Sequence, residues 1–220
     1  MKRYVELTDE QKKAYAEMKE NALATLNGSS ATAFNVLTQL IRLHQITCGH
    51  MATDNHDIIN IKSNRLNELM QILGETSGKV IIWANYIYDI HQIEKAVEKE
   101  FGSDSYCTYY GATLAKDRQK CINDFQDPDS PVRFFIGNTQ TGGYGITLTA
   151  ASTVIYYSNN YDLEKRIQSE DRAHRIGQKN KVLYIDLVAK GTVDVKIIRS
   201  LRNKVNIAKE ISGEELIAWI

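Results

Sequence analysis

Beyond residue 78 the chain alternates short apolar runs with stretches whose apolar residues recur every three or four positions. KVIIWA (79–84), SYCTYY (105–110), VRFFIGN (132–138), TVIYYS (153–158) and KVLYIDLV (181–188) are runs of strand length, rich in β-branched and aromatic residues. Between and after them, Ile87 to Phe101, Leu114 to Phe125, a segment near Gln168 and Thr192 to Arg202 read as helices. Strands apolar on both faces, alternating with helices, predict an α/β fold: a parallel sheet with helices on both faces. In such a sheet, functional groups are expected in loops at the carboxyl ends of the strands.

The first sixty or so residues have a different texture and read as helical. Thr8 with Gln11 three residues on is a capping-box pattern, predicting a helix that runs towards Leu26 and ends at Gly28. A second helix is expected from near Ser30 to near Gly49, with Phe34, Leu37, Leu40, Ile41 and His44 at helical spacing. A third follows Ser63, with Leu66, Leu69, Met70 and Leu73 inward. The organisation expected is a helical region over 1–62, the sheet-bearing lobe over 63–204, and a helical tail over 205–220. The apolar end of that tail, LIAWI, suggests packing on something.

The densest group of side chains suited to a phosphate is QSEDRAHRIGQ (168–178). On a helix, Gln168, Arg172 and Arg175 share one face and Leu163, Ile167 and His174 another, so the arginines are expected to point away from their own core. Ile176 and Gly177 are expected to stop the helix. Two forked guanidiniums one turn apart suit a polyphosphate or a run of backbone phosphates, and a merely solvated basic face is the plainer alternative.

Composition narrows the field only in part. The 220 residues suit one large domain or two small ones, and 43% hydrophobic residues supply a core. Totals of 27 basic and 27 acidic residues give no overall basic field. From Asp162 to Lys204, however, there are eleven Lys or Arg against six Asp or Glu, so one end is expected to be basic. Three cysteines, Cys48, Cys107 and Cys121, with no CxxC pair, fit an intracellular, reducing setting better than a disulfide framework. With neither an N-terminal h-region nor an apolar run near eighteen residues, no signal peptide, membrane span or membrane partner is expected.

Other chemistries fit less well. VRFFIGNTQTGGYGITLT runs from a strand into Gly142, Gly143 and Gly145 among four threonines, a loop able to bare N–H groups and hydroxyls to a phosphate. A tight turn explains the glycines equally well, and the dinucleotide fingerprint is not met. No Walker A loop is present: GETSGKV (74–80) has the wrong spacing, and Val80 stands where Ser or Thr would hold magnesium. Asp9 and Glu10 read as cap residues rather than an acidic box. His44, Cys48, His50 and His56 match no usual zinc spacing, so no metal site is expected. No Ser, His and Asp set or paired carboxylates stand out as catalytic.

In order along nearly the whole chain, these segments resemble the second, C-terminal RecA-like lobe of the Swi/Snf family of superfamily II DNA helicases and translocases. QSEDRAHRIGQ fits its motif VI, with Gln168, Arg172 and Arg175 in the Q-x-x-x-R-x-x-R frame and the RIGQ ending of the Swi/Snf branch. GGYGITLTAASTVIYY is similar to motif V, KVIIWANY to motif IV, and YGATLAKDRQKCINDF to the G-x-T segment that follows. LTDEQKKAY and LIRLHQITCGH resemble the helical region leading into the lobe. Ser158 to Tyr161 stand where Asp-Trp-Asn-Pro is usual, and Asn85 stands where glutamine is common. Compact phage and bacterial members look nearer than large chromatin remodellers.

The resemblance implies a RecA-like fold and a mechanism. ATP and Mg would be held mainly by an N-terminal RecA-like lobe, absent here, with Arg172 and Arg175 reaching across as catalytic arginine fingers and Gln168, Gly143 and Gly145 on the ATP side. Asn85, Gly111, Arg118, Thr139 and Thr149 would contact the backbone of double-stranded DNA. The setting implied is cytoplasmic, or nuclear in a eukaryote. The chain alone is expected to hydrolyse nothing; a start at Met1 inside a family segment favours a fragment over half of a split enzyme. The alternative is a non-catalytic nucleic-acid- or partner-binding module.

Overall fold

The computed structural model describes residues 1–26, 28–33, 35–141, 145–178 and 181–203. Gly143 and the expected tail helix (205–220) lie outside the described residues. The chain divides into two compact units: Met1–Arg3 with Glu68–Leu187, and Tyr4–Asn67 with the chain from Val188 onward.

Strand β1 (Lys2–Val5) opens the chain, and helix α1 (Asp9–Asn21) follows under the expected capping box, the Thr8 side chain accepting from the Gln11 N–H. The helix stops at Asn21 rather than near Leu26, because Ala22 turns left-handed (φ 52°) and starts a hairpin of β2 (Leu23–Leu26) and β3 (Ser29–Thr32). Asn35 then caps α2 (Val36–Cys48), so the second helix starts later than Ser30. A second hairpin, β4 (His50–Ala52) with β5 (Ile58–Asn60), precedes α3 (Arg65–Glu75). The helical region is thus built on α1 and α2, with two small hairpins that the apolar spacing did not show.

The rest follows the alternation: β6 (Lys79–Trp83), α4 (Ile87–Phe101), β7 (Tyr106–Tyr109), α5 (Ala115–Gln126), β8 (Phe134–Gly137), β9 (Ala151–Tyr156), α6 (Leu163–Ala173), β10 (Leu183–Ala189) and α7 (Val193–Arg202). Six strands form one sheet in the order β1-β10-β9-β6-β8-β7. The pairs β10/β9, β9/β6, β6/β8 and β8/β7 are all parallel. Continuous burial explains this, since Val80, Ile81, Ile82, Trp83, Phe134, Phe135 and Ile136 are all fully buried and each strand needs cover on both faces.

On one face, Ile81, Trp83, Phe135, Val154 and Tyr156 form a core with Phe125, Ile146, Leu148 and Ala173. Trp83 meets Phe135 edge-on at 5.8 Å. Gly137 is fixed by this crowding: a Cβ there would lie 2.9 Å from the Trp83 ring and 3.0 Å from the Tyr109 carbonyl oxygen.

In the other unit, Arg65 is fully buried and paired with Asp194. The Asp194 carboxylate also accepts from the Thr47 hydroxyl (2.9 Å) and the Ala189 N–H (3.0 Å), with His44 at 3.8 Å. Among the described residues no three His, Cys, Asp or Glu are grouped to hold a metal ion. No described helix is long and apolar enough to cross a membrane.

Cys107 on β7 and Cys121 on α5 are joined by a disulfide, correcting the expectation from cysteine count; Cys48 is buried and takes no part in that bond. Residues fourteen apart become neighbours because α5 packs back onto β7.

Candidate functional site

Helix α6 is seated by polar contacts rather than by the apolar stripe that the sequence suggested. Its buried residues are Ser169, Arg172 and Ala173, whereas Ile167 is 44% exposed and His174 is also exposed. The expected orientation is therefore inverted for Arg172, which faces inward at 8% exposure. The reason lies in two side chains absent from the sequence-based candidates. The Arg166 guanidinium sits 3.4 Å from the centre of the Tyr156 ring and donates to Asp186 (2.5 Å), Asn159 (2.5 Å) and Glu170 (2.6 Å). Ser169 shares a 2.7 Å hydrogen bond with the Tyr156 hydroxyl. Pairing offsets the desolvation of Arg166 and Ser169, so this face packs on the sheet in preference to the weakly apolar one. Burial alone pushes the Arg166 pKa down, but Tyr156, Asp186 and Glu170 outweigh it and the value is raised.

The helix ends at Ala173, earlier than Ile176, so Arg175 lies on the turn beyond it rather than on a shared helical face. Gly177 takes a left-handed φ of 104° in that turn, a conformation that costs an L side chain strain. The Arg175 side chain is exposed, and its Nη1 donates to the Gly145 carbonyl (3.0 Å), the Ile146 carbonyl (3.4 Å) and the Thr147 hydroxyl (2.9 Å). Its acceptors among the described residues are neutral oxygens, so the guanidinium is oriented without its charge being cancelled. Arg172 anchors the same segment through its backbone, its carbonyl accepting from the Leu148 N–H at 2.9 Å. Burial, and then the nearby charge of Arg175, lower the Arg172 pKa. An anion beside them would oppose the shift by favouring the charged form. Gln168 is exposed on the helix surface.

Gln178 closes the motif in a way the sequence did not disclose. Its side-chain amide reaches the carbonyls of Thr149, Ala151 and Ala173, each at 3.0 Å, tying the arginine turn to the start of β9. From α5, Gln126 donates to the Thr149 hydroxyl (3.2 Å) and accepts from the Ala150 N–H (2.9 Å). Thr149 therefore belongs to the arginine group, near the amino end of β9 rather than a carboxyl end. This follows from topology: α6 leaves the carboxyl end of β9 and must return to the amino end before the parallel strand β10 can begin.

Three other candidates do follow carboxyl ends. Asn85, after β6, is a junction: its N–H donates to Ser158 (2.8 Å), its carbonyl accepts from Asn138 (2.8 Å), and its side-chain oxygen accepts from Asn160 (3.0 Å). Ser158 and Asn160 thus fix the loop after β9, and Asn159 joins the Arg166 network through Asp186 (3.2 Å). Thr139, after β8, is 5% exposed, and among the described residues its hydroxyl oxygen has no hydrogen-bond partner. Gly111, after β7, is exposed, and Arg118 folds back to donate to the Tyr110 (3.2 Å) and Gly111 (2.9 Å) carbonyls. The structure thus brings Arg172, Arg175, Gly145 and Thr149 into one group and places Asn85, Thr139 and the Gly111–Arg118 pair after strand ends.

The family model for the helicase conserved C-terminal domain matches residues 62–177. The chain belongs to that family. Its form is that of the C-terminal lobe of Swi2/Snf2-type helicases. The Sulfolobus solfataricus SWI2/SNF2 ATPase core in complex with dsDNA is similar with a TM-score of 0.73 at 26% identity, over all of this chain and 49% of that one. The C-terminal part of the Fun30 ATPase domain shares the fold (TM-score 0.71, 20% identity), over 99% of this chain and 94% of that one. Among curated relatives, the ISWI chromatin-remodeling complex ATPase ISW1 of Saccharomyces cerevisiae is 30% identical over 93% of this chain. An ATP-dependent helicase of Mycoplasma genitalium is 28% identical over 97% of it. The chain spans 19% and 22% of the lengths of these two relatives. A remodeller and a bacterial helicase are about equally similar, so identity does not favour the compact bacterial kind.

Proposed function

We propose that this chain is the second motor lobe of an ATP-dependent translocase on double-stranded DNA. ATP and Mg bind mainly to a first RecA-like lobe of the same protein. Arg172 and Arg175 act on its phosphates and Gln168, Gly143 and Gly145 serve the ATP side, and an arginine finger is typically worth about 10³ to 10⁵ in rate. The observation that carries this reading is Arg175: an exposed guanidinium held in place by two carbonyls and a hydroxyl, with its positive charge left for an external anion. Asn85, Gly111, Arg118, Thr139 and Thr149 contact backbone phosphates, which carry no sequence information. The lobe alone turns over no ATP.

The test is Arg175→Ala in a protein that carries both lobes. DNA-stimulated ATPase should fall by at least about 10³ while nucleotide binding persists. Wild-type turnover by the variant would remove the role. The isolated lobe should bind duplex weakly, with affinity falling steeply as salt rises; salt-independent binding would point to another contact.

A further inference from the structure

Outside the phosphate-facing groups, the chemistry most open to reaction is the Cys107–Cys121 pair. An open groove of about 380 Å³ runs between β7 and α5, and its lining includes Cys107, Tyr110, Leu114, Lys120 and Cys121. The two residues differ in exposure: Cys107 is half-buried, whereas Cys121 is 4% exposed. The Cys107 sulfur also lies 3.4 Å from the Cys121 carbonyl oxygen, an acceptor ready for the thiol hydrogen once the bond is broken. In the bonded form the Cα atoms stand 5.4 Å apart, within the usual span of a disulfide.

We propose that Cys107 and Cys121 form a reversible oxidation site whose co-reactant is a small-molecule disulfide such as glutathione disulfide. The accessible Cys107 loses its proton and attacks one sulfur of the co-reactant, whose S–S bond breaks. One small thiolate leaves and takes up a proton, and a mixed disulfide remains on Cys107. Cys121 then loses its proton, attacks the Cys107 sulfur and expels the second small thiol. Two protein thiols are oxidised and one small disulfide is reduced to two thiols. The bond closes a loop that contains the Tyr110–Thr113 turn, Gly111 and Arg118, so its state governs how freely that loop opens. Oxidation depends on none of the motor chemistry, because neither cysteine belongs to the arginine group.

The test exposes the reduced chain to glutathione disulfide, quenches with acid, alkylates and maps by mass. The wild type should lose two thiols, retain no glutathione, yield linked Cys107 and Cys121 peptides, and keep Cys48 alkylatable. Cys121→Ser should hold one glutathionyl group on Cys107; Cys107→Ser should be labelled at least about tenfold more slowly, as thiol access dictates. Wild-type protein that keeps three thiols, or that keeps glutathione without an internal link, overturns the site. Equal labelling of the two serine variants overturns the order of attack. Circular dichroism checks that each variant is folded, and the wild-type mass decides the site even if one is not. Amide exchange across 108–120 should be at least about tenfold slower in the oxidised protein, the mark of a loop that opens less; equal exchange overturns the control of loop opening.

Discussion

Replacing Arg166 by methionine should destabilise the lobe more than any surface substitution, and the structure sets the size. The Arg166 and Asp186 side chains are 12% and 6% exposed and meet at 2.5 Å, so water and salt screen them little. Methionine keeps much of the stem's packing over Tyr156 but strands the Asp186 carboxylate, whose remaining side-chain donor among the described residues is Asn159 at 3.2 Å. Breaking one side of a buried pair costs about 3–5 kcal/mol, and the surviving Asn159 contact argues for the lower end. At roughly 2–4 °C per kcal/mol for a chain of this size, a loss of about 3 kcal/mol should lower Tm by roughly 6–12 °C. Urea unfolding followed by far-UV circular dichroism gives the free energy directly, with an unchanged m-value as the check that the unfolded state is unaltered. Replacing both partners, Arg166→Met with Asp186→Leu, should recover most of the loss, because no unpaired charge then remains buried. A single substitution that costs under about 1 kcal/mol, or a double variant no better than the single one, would refute the view that this pair seats α6.

Three further outcomes are expected. Burial alone would raise the Asp194 pKa, but Arg65, His44 and the Ala189 N–H outweigh it and hold the value below the usual carboxylate range. A depressed folded-state pKa contributes stability that is present above the unfolded value of about 4 and lost as pH falls through the folded one; Asp194→Asn should flatten that acid limb in urea titrations. Gly137→Ala forces a methyl against Trp83 and the Tyr109 carbonyl and should cost about 1–3 kcal/mol by thermal unfolding. Thr139→Val removes a buried hydroxyl that has no partner among the described residues, so stability should hold or rise slightly. Duplex affinity, measured by fluorescence anisotropy, should nonetheless fall, and unchanged affinity would remove Thr139 from the DNA side.

The sheet was legible because its strands are continuous apolar runs, and α4 spans Ile87–Phe101 as the spacing predicts. Strand β1 was not, because Lys2 to Val5 form an edge strand that buries only Val5 and joins through its backbone, with the Asp186 N–H donating to the Met1 carbonyl at 3.0 Å. The β2–β3 hairpin hid in Leu-Ala-Thr-Leu, a run equally at home in a helix. Spacing singled out Arg172 and Arg175 but not their orientation, because α6 turns a polar face to the sheet and spacing rules count only apolar residues. The cysteine bond was invisible for another reason: pairing depends on α5 folding back on β7, and counting cysteines carries no such information.

One carboxamide has a mechanical consequence. The Gln178 amide grips Thr149 and Ala151 on one side and Ala173 on the other, while Arg175 hooks the loop at Gly145. The turn behaves as a stiff lever rather than a dangling arm. A tug on the Arg175 tip is not absorbed by slack in the turn; it loads the root of β9, a strand flanked on both sides, and so strains the middle of the sheet.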